Sequence, residues 1–479
     1  MQNCIENHGG SSAGEILYVE ASRHDPATAY LTVGATRQST PPYVARTDDY
    51  GRTWQKIVNG FPENEMVRVV REDPKRKGLL YAGTDTGVYV SWDRGNHWQP
   101  FSLNLPATPI TDLQVHDNDL VISTFGRSLW ILDDITPLRE ISPQITAADA
   151  HLFVPATALR VRWENYQDTP YPIETPAGQN PPDGAILDYY LKTSPAGDLT
   201  LTIYDGKGTE VARFSSEAKP TAYLLANAPS YWFAPEAALP KAAGVNRFVW
   251  NLRYPPPPSL PYGYYGKLLK YIEYTLADHA VPGLTPRLQP RGPLVLPGRY
   301  TIELRVGGQT LQQPLTVELD PRAHSSPADL SEQLDLAQRI SRGMKASFDG
   351  FYQVAGFRKA FTEATDALKQ SATKETKDAV ADFEKKIDAI DNGTKRAPGF
   401  GPVNRDLARL IFSVESADMP PPDTVQSAAR QSCDALDKDL ANWRQLNEQD
   451  LAAFNAVLAA NKQGPLPILP GIGSTGCEP

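Results

Sequence analysis

An eight-residue motif that occurs twice, 44 residues apart, constrains the fold of this chain more than any other feature of its sequence. Each copy has a hydroxyl residue at its first position, aspartate at its third, glycine at its fifth and tryptophan at its eighth. In the first copy these residues are Thr47, Asp49, Gly51 and Trp54. In the second copy they are Ser91, Asp93, Gly95 and Trp98. Repetition at this spacing predicts a fold built from repeated structural units.

The residue types of the motif predict a tight turn. The hydroxyl and the carboxylate can accept backbone N–H groups within the loop. The glycine permits a positive φ, and the tryptophan can turn inward where the next strand begins. We therefore expect the eight motif residues to have a structural role.

Short β-type segments surround the two copies, at 30–33, 79–83 and 87–90. A third unit follows over 110–132 and lacks the motif. About four short strands in each 40–45 residues is the size of one blade of a β-propeller. The pattern predicts about three blades over residues 1–136.

The motif and its Asp-Pro and Tyr-Ala-Gly context resemble the Asp-box, or BNR, repeats of sialidase-like, xyloglucanase-like and sortilin-like propellers over about residues 15–135. In that group the box is a turn on the propeller rim, away from the central channel where substrates bind. The resemblance implies a structural role for Asp49 and Asp93 and a location in the periplasm or outside the cell. No signal-peptide pattern is visible in the first ten residues.

Three blades are fewer than the four to eight of a closed propeller. The sequence thus predicts that further blades come from upstream sequence, from a second chain or from self-association. An open set of blades would expose apolar faces and strand edges.

The middle of the chain is predicted to hold a linker over 137–183 and an immunoglobulin-like β-sandwich over 184–320, with a proline- and tyrosine-rich insertion at 255–296. Its strand sequences resemble the FlgD-type sandwich domains of bacterial secreted proteins. Within the insertion, three tyrosines could contact a sugar or a protein partner, or could instead cover a neighbouring domain. These are Tyr262, Tyr264 and Tyr265.

At Ser326 the apolar period changes from two to 3.6, and a serine followed by proline marks a helix start. Four helices with apolar seams over 321–464 predict an antiparallel helical bundle, followed by a flexible tail at 465–479. Of Cys4, Cys433 and Cys477, at most one pair can form a disulfide, and the spacing does not decide which. Cys433 lies on an apolar seam and is interpreted as a buried thiol. The fold class is therefore multidomain, mainly β followed by α.

The composition excludes several classes of function. A net charge of −9 without a basic stripe argues against nucleic acid, and no apolar run is long enough for a membrane span. None of the seven histidines lies in a metal-ligand pair, and no nucleotide-binding or nucleophile motif follows a strand. We assign no catalytic, cofactor-binding or metal-binding residue.

The sequence thus favours a noncatalytic binding or scaffolding protein that recognises a protein or a glycan. The alternative is the C-terminal portion, or one subunit, of a propeller glycoside hydrolase whose active site lies mainly in other blades. Such an enzyme needs two placed carboxylates, or a tyrosine nucleophile with an acid and arginines. No residues of this chain can be matched to that set from sequence.

Overall fold

The computed structural model describes residues 15–35, 41–162, 174, 176, 178, 180–219, 238–260, 291–366, 368, 372–391, 393, 398–473 and 476–477. The fold contains both β and α structure, with several sheets and a helical C-terminal region. The chain divides into two compact units. The first holds Met1–Ala156 and Asp188–Lys192, and the second holds Thr157–Leu187 and Thr193–Pro479.

The first unit contains three successive antiparallel sheets in which each strand pairs with the next along the chain. The first sheet consists of β1 (Ile16–Ala21), β2 (Ala29–Val33), β3 (Tyr43–Thr47) and β4 (Gln55–Lys56). The second consists of β5 (Val67–Glu72), β6 (Leu80–Thr84), β7 (Val88–Ser91) and β8 (Gln99–Pro100). The third consists of β9 (Ile110–His116), β10 (Asp119–Thr124) and β11 (Leu129–Leu132).

Two apolar clusters hold these sheets together. Tyr30 and Val44 of the first sheet pack with Val67 and Leu80 of the second. Between the second and third sheets lies another cluster, which includes Val69, Tyr81, Val90, Ile110, Leu113 and Leu120. The first strand of the middle sheet, β5, contacts the first strands of both neighbours, β1 and β9. Three sheets at the predicted positions therefore stack in chain order.

The chain continues through two short helices, α1 (Thr136–Glu140) and α2 (Pro143–Ala147), to β12 (Ala150–Leu152). β12 pairs antiparallel with the end of β14 (Ala185–Leu191), a strand that has residues in both units. Residues 137–183 were predicted to be a linker, and their described part instead includes regular structure. The apolar residues of α1 and β12 explain the difference, since Leu138 and Leu152 are buried.

The second unit contains a five-stranded sheet of order β13-β19-β18-β15-β16. Its strands are β13 (Ala158–Arg160), β15 (Thr200–Tyr204), β16 (Glu210–Ser215), β18 (Gly298–Val306) and β19 (Gln309–Leu319). A further strand, β17 (Gly244–Trp250), neighbours β14. β13 lies within the predicted linker but pairs in parallel with the end of β19, from Val317 to Leu319. This pairing is one reason why the structure has two units where the sequence predicted three domains and a linker.

Helices follow the sheet at the predicted positions, in the same unit. They are α3 (Pro327–Thr365), α4 (Lys374–Asp391), α5 (Phe400–Val414), α6 (Asp423–Gln445), a π-helical segment (Leu446–Asp450) and α7 (Leu451–Ala460). The predicted start of α3 is confirmed, because the Ser326 hydroxyl accepts the Asp329 N–H while the Asp329 carboxylate accepts the Ser326 N–H. The buried core of the helical region includes Ile340, Met344, Phe361, Phe383, Ile387, Leu407, Leu436 and Phe454.

Two expectations for the C-terminus are wrong. Cys433 is not a free thiol, because it forms a disulfide with Cys477. The segment at 465–479 was predicted to be a flexible tail, but in its described part, 465–473 and 476–477, Leu466 and Cys477 are buried against the helical core. The two cysteines are 44 positions apart, so their spacing did not indicate this pairing. No described helix combines the length and the hydropathy that crossing a membrane would require.

Candidate functional site

The first copy of the motif forms a closed set of hydrogen bonds. The Thr47 hydroxyl accepts the Gly51 N–H (2.9 Å) and donates to Asp49 Oδ1 (2.9 Å). Asp49 Oδ1 also accepts the Thr53 N–H (2.8 Å), and Asp49 Oδ2 accepts the Thr53 hydroxyl (2.7 Å). Both carboxylate oxygens are therefore engaged within the turn.

The second copy repeats this geometry. The Ser91 hydroxyl accepts the Gly95 N–H (2.9 Å) and donates to Asp93 Oδ1 (2.9 Å). Asp93 Oδ1 accepts the His97 N–H (2.9 Å), and Asp93 Oδ2 lies 2.6 Å from His97 Nδ1. The hydrogen bonds of the two carboxylates thus differ only in whether a threonine hydroxyl or a histidine ring contacts Oδ2.

The glycines and tryptophans complete the turns. Gly51 and Gly95 have φ values of +81° and +84°. Trp98 is buried, and its Nε1 donates to the carbonyl of Ile57 (2.9 Å). Trp54 is partly buried against a small apolar cluster of the first sheet. Thr47 and Ser91 are the last residues of β3 and β7, and the other six motif residues lie in the connections to β4 and β8.

Both aspartates of the motif are held ionised. The Thr53 N–H and hydroxyl lower the pKa of Asp49 to about 2. Although burial opposes it, hydrogen bonding from His97 lowers the pKa of Asp93. A carboxylate that is ionised and saturated by its own turn is a poor general acid.

The two glycines allow a matched stability test of the turns. A Cβ at Gly95 would lie 2.4 Å from Ile57 Cδ1, whereas at Gly51 the nearest atom, in Trp54, is 3.8 Å away. We expect Gly51→Ala to lower the free energy of unfolding by about 1 kcal/mol, the cost of a positive φ. Gly95→Ala adds steric overlap and should cost about 3 kcal/mol in total. Urea unfolding followed by tryptophan fluorescence measures both, and equal losses would contradict the packing seen at Gly95.

A charged group connects the first strands of the three sheets. Arg71 of β5 donates to Glu20 of β1 (3.1 Å) and to Asp112 of β9 (2.8 Å). It also donates to the Leu113 carbonyl (2.6 Å) and stacks on Tyr18, 4.3 Å from the ring centroid. Burial raises the pKa of Glu20. The sequence alone did not indicate a role for Arg71, because the two carboxylates that it contacts, Glu20 and Asp112, are 51 and 41 positions away.

The third sheet exposes apolar residues on one face. Leu129 and Ile131 of β11 are 70% and 59% exposed, and Phe125, just after β10, is 75% exposed. Cross-strand pairing places Leu129 beside Ser123 and Ile131 beside Val121. We call this set of five residues the third-sheet face. Within the described part of the chain, β11 pairs only with β10, so the sheet has three strands where the first two have four.

In the second unit, three arginines and two carboxylates form a buried charged cluster. The Arg160 side chain, 2% exposed, and Arg162 both donate to Asp418 Oδ1. Arg253 donates to Glu415 Oε2 (2.8 Å), which lies 3.5 Å from Arg162 Nη1. Because both carboxylates are already paired with arginines, the cluster joins sheet strands to the segment between α5 and α6 and leaves no carboxylate for catalysis.

Three tyrosines were predicted as possible contacts for a sugar or a protein partner. Tyr262, Tyr264 and Tyr265 lie outside the described residues. Across the described ranges, no group of three or more His, Cys, Asp or Glu side chains is arranged to hold a metal ion.

No family model and no curated protein matches the chain. Solved structures with similarity include YCF48 from Cyanidioschyzon merolae (15% identity, TM-score 0.19, 44% of this chain and 62% of that one). An extracellular domain of the one-component system BT4673 from B. thetaiotaomicron aligns at 10% identity and a TM-score of 0.20, over 64% of this chain and 31% of that one. An ancestral GH74 enzyme aligns at 12% identity and a TM-score of 0.19, over 42% and 27%.

This chain spans less than two thirds of the length of each of the three structures. TM-scores this low do not establish a shared fold.

Proposed function

We propose that this chain is a noncatalytic binding or scaffolding protein, built on Asp-box propeller repeats and working outside the cytoplasm. The observation that carries the proposal is the third-sheet face, where Leu129, Ile131 and Phe125 expose apolar surface beside the edge of β11, which pairs with no other described strand than β10. Exposed apolar patches on otherwise soluble proteins mark contact surfaces. An exposed strand edge can also accept a strand from another chain.

The chemistry of the carboxylates supports a noncatalytic role. Asp49 and Asp93 are saturated within their turns. Glu20 and Asp112 both accept hydrogen bonds from Arg71 and are not free to act on a substrate in this arrangement.

One observation favours the alternative, a portion of a glycoside hydrolase. Glu20 and Asp112 belong to different sheets and both pair with the Arg71 guanidinium. In addition, burial raises the pKa of Glu20. Glycosidases use two carboxylates, of which the general acid has a raised pKa. If other blades displaced Arg71, this pair could serve such a reaction.

The binding proposal predicts association through the third-sheet face. We expect the chain to form dimers or larger species, and Leu129→Lys with Ile131→Lys to weaken that association at least about tenfold by placing charge in an apolar contact. Analytical ultracentrifugation over a concentration series measures the change. The matched control is Val154→Lys with Val245→Lys, which adds the same charge at exposed valines elsewhere. A chain that stays monomeric at every concentration would contradict this prediction.

The hydrolase alternative is tested separately, with protein that contains further repeats. Fluorogenic sialosides and β-glucan oligosaccharides are the substrates to assay. Turnover that is abolished by Glu20→Gln and retained by Glu65→Gln would overturn the noncatalytic proposal. Lack of turnover on both substrate classes would support it.

A further inference from the structure

The C-terminal segment lies along the helical region as an extended strap. We define the strap as residues 464–473 and 476–477, which form no helix or strand. Its sequence from Pro465 to Pro470 consists of three prolines and three large apolar residues. Such sequences favour extended, polyproline-type conformations with no internal hydrogen bonds. The backbone groups of the strap are therefore available to side chains of the helices.

Two asparagines bind the strap through its backbone. Asn455 Oδ1 accepts the Leu466 N–H (2.8 Å), and Asn455 Nδ2 donates to the Leu466 carbonyl (3.1 Å). Asn447 repeats the arrangement at Leu469, with distances of 3.1 Å and 2.6 Å. Each amide thus engages both backbone groups of one residue, a contact that does not depend on the side chain of the bound residue.

The spacing of the two contacts fits a chain that runs antiparallel to the helix. Asn447 and Asn455 are eight residues apart, about 12 Å along a helix. Leu469 and Leu466 are three residues apart, about 9 Å in a polyproline-type chain. Asn447 lies in the π-helical segment Leu446–Asp450. Such segments frequently occur at functional positions in helices.

Few side chains of the strap are buried. Within the described strap, only Leu466 and Cys477 are buried, while Ile468 is 76% exposed. The far end is held by the Cys433–Cys477 disulfide and by Arg342, whose Nε donates to the Gly476 carbonyl (2.7 Å). Because ordering a dozen residues costs much conformational entropy, the covalent bond is the main restraint that keeps the strap in place.

A cavity adjoins the strap. It has a volume of about 500 Å³ and is lined by strap residues 471–473 and by Phe348, Asp349, Tyr352 and Gln353 of α3. Phe348 and Tyr352 are in contact, with ring centroids 4.7 Å apart, and Tyr352 is half exposed. Aromatic-lined grooves are the usual receptors of extended proline-rich segments.

We propose that this groove, together with the Asn447 and Asn455 side chains that the strap occupies in the oxidised protein, is a docking site for an extended, proline-rich segment of another polypeptide. Reduction of Cys433–Cys477 opens it. A dithiol of the thioredoxin class supplies two electrons and two protons, becomes a disulfide itself, and leaves Cys433 and Cys477 as thiols. The strap then detaches and Asn447 and Asn455 become available to the partner. The inference is independent of the function proposed for the first unit.

The test uses the full chain and a fluorescein-labelled peptide with the sequence of residues 465–473. Fluorescence anisotropy should show binding that is at least about tenfold tighter after reduction with dithiothreitol, since the strap is then tethered at one end only and competes less strongly. In the Cys433→Ser, Cys477→Ser variant, binding should be equally tight without reductant. In that variant background, Asn447→Ala with Asn455→Ala should weaken binding at least about tenfold, because four hydrogen bonds are lost. Asn442→Ala, at an exposed position of α6, is the matched control and should have no effect.

A peptide that is N-methylated at the residues equivalent to Leu466 and Leu469 should bind more weakly, without any change to the protein. Equal binding before and after reduction would overturn the proposal that the disulfide keeps the strap on the docking site, and absence of binding in both states would overturn the docking site itself.

Hydrogen exchange tests the same proposal without a peptide. The Leu466 and Leu469 amides should exchange at least about tenfold faster after reduction while α3 and α5 keep their protection. Loss of protection throughout the helical region would instead show that the disulfide is only structural.

Discussion

Replacing Asp439 with asparagine is expected to stabilise the helical region at pH 8 by up to roughly 4 kcal/mol. Asp439 lies on α6 and is fully buried. Neither of its carboxylate oxygens accepts a hydrogen bond from the described residues. Burial raises the pKa of this carboxyl to about 7. An ionised carboxylate at this position is therefore a large cost to the folded state.

The sign of the pH dependence follows from the raised pKa. In the unfolded chain Asp439 titrates near its ordinary pKa of about 3.9. Below about pH 4, ionisation of Asp439 therefore has little effect on the free energy of unfolding. That free energy falls as the pH rises from about 4 to about 7, and above about pH 7 the full cost of the buried charge is present. Asparagine removes the charge, so the gain should be largest at pH 8 and should fall to about 1 kcal/mol at pH 4.5.

Chemical unfolding followed by helical circular dichroism at several pH values measures this difference. Asp434→Asn is the matched control, because Asp434 is exposed on the same helix and its replacement removes the same charge. It should change stability by less than about 0.5 kcal/mol at every pH. A gain for Asp439→Asn that is the same at pH 4.5 and pH 8 would show that ionisation of Asp439 is not its cause.

Local features of this fold could be predicted from the sequence because all the atoms involved lie within a few residues. The Asp49 and Asp93 turns each join groups at most four positions apart. The capping box that starts α3 joins Ser326 and Asp329, three positions apart. In such cases the residue types and their spacing determine the geometry, with little influence from the rest of the chain.

Long-range features could not be predicted in the same way. Arg160 and Asp418 are 258 positions apart, and neither has a sequence context that indicates the other. The pairing of Cys433 with Cys477 and the strap contacts of Asn447 likewise depend on how the helices pack. The candidate surface was predicted only in general terms, since the repeat count indicated open sheet faces but did not indicate Leu129 or Ile131.

Replacing Asp418 with asparagine is expected to destabilise the second unit by roughly 3–5 kcal/mol. Its Oδ1 accepts hydrogen bonds from Arg160 and from Arg162. Arg160 is 2% exposed. The variant keeps the shape of the side chain but leaves a buried guanidinium without the charge that compensates it. Removal of one partner of a buried ion pair is costly for this reason, whether or not the intact pair is favourable.

The uncompensated charge of the buried Arg160, rather than the loss of an ion pair as such, should account for this destabilisation. Asp382→Asn is the matched control, because Asp382 pairs with Lys385 and both side chains are more than 70% exposed. It should cost no more than about 0.5 kcal/mol. In addition, Arg160→Met in the Asp418→Asn background should recover part of the loss, since the uncompensated charge is then gone. Urea unfolding of the four proteins measures these differences. Equal effects of Asp418→Asn and Asp382→Asn would mean that water or other groups solvate Arg160 in solution, and that the cluster does not hold the strands and helices together.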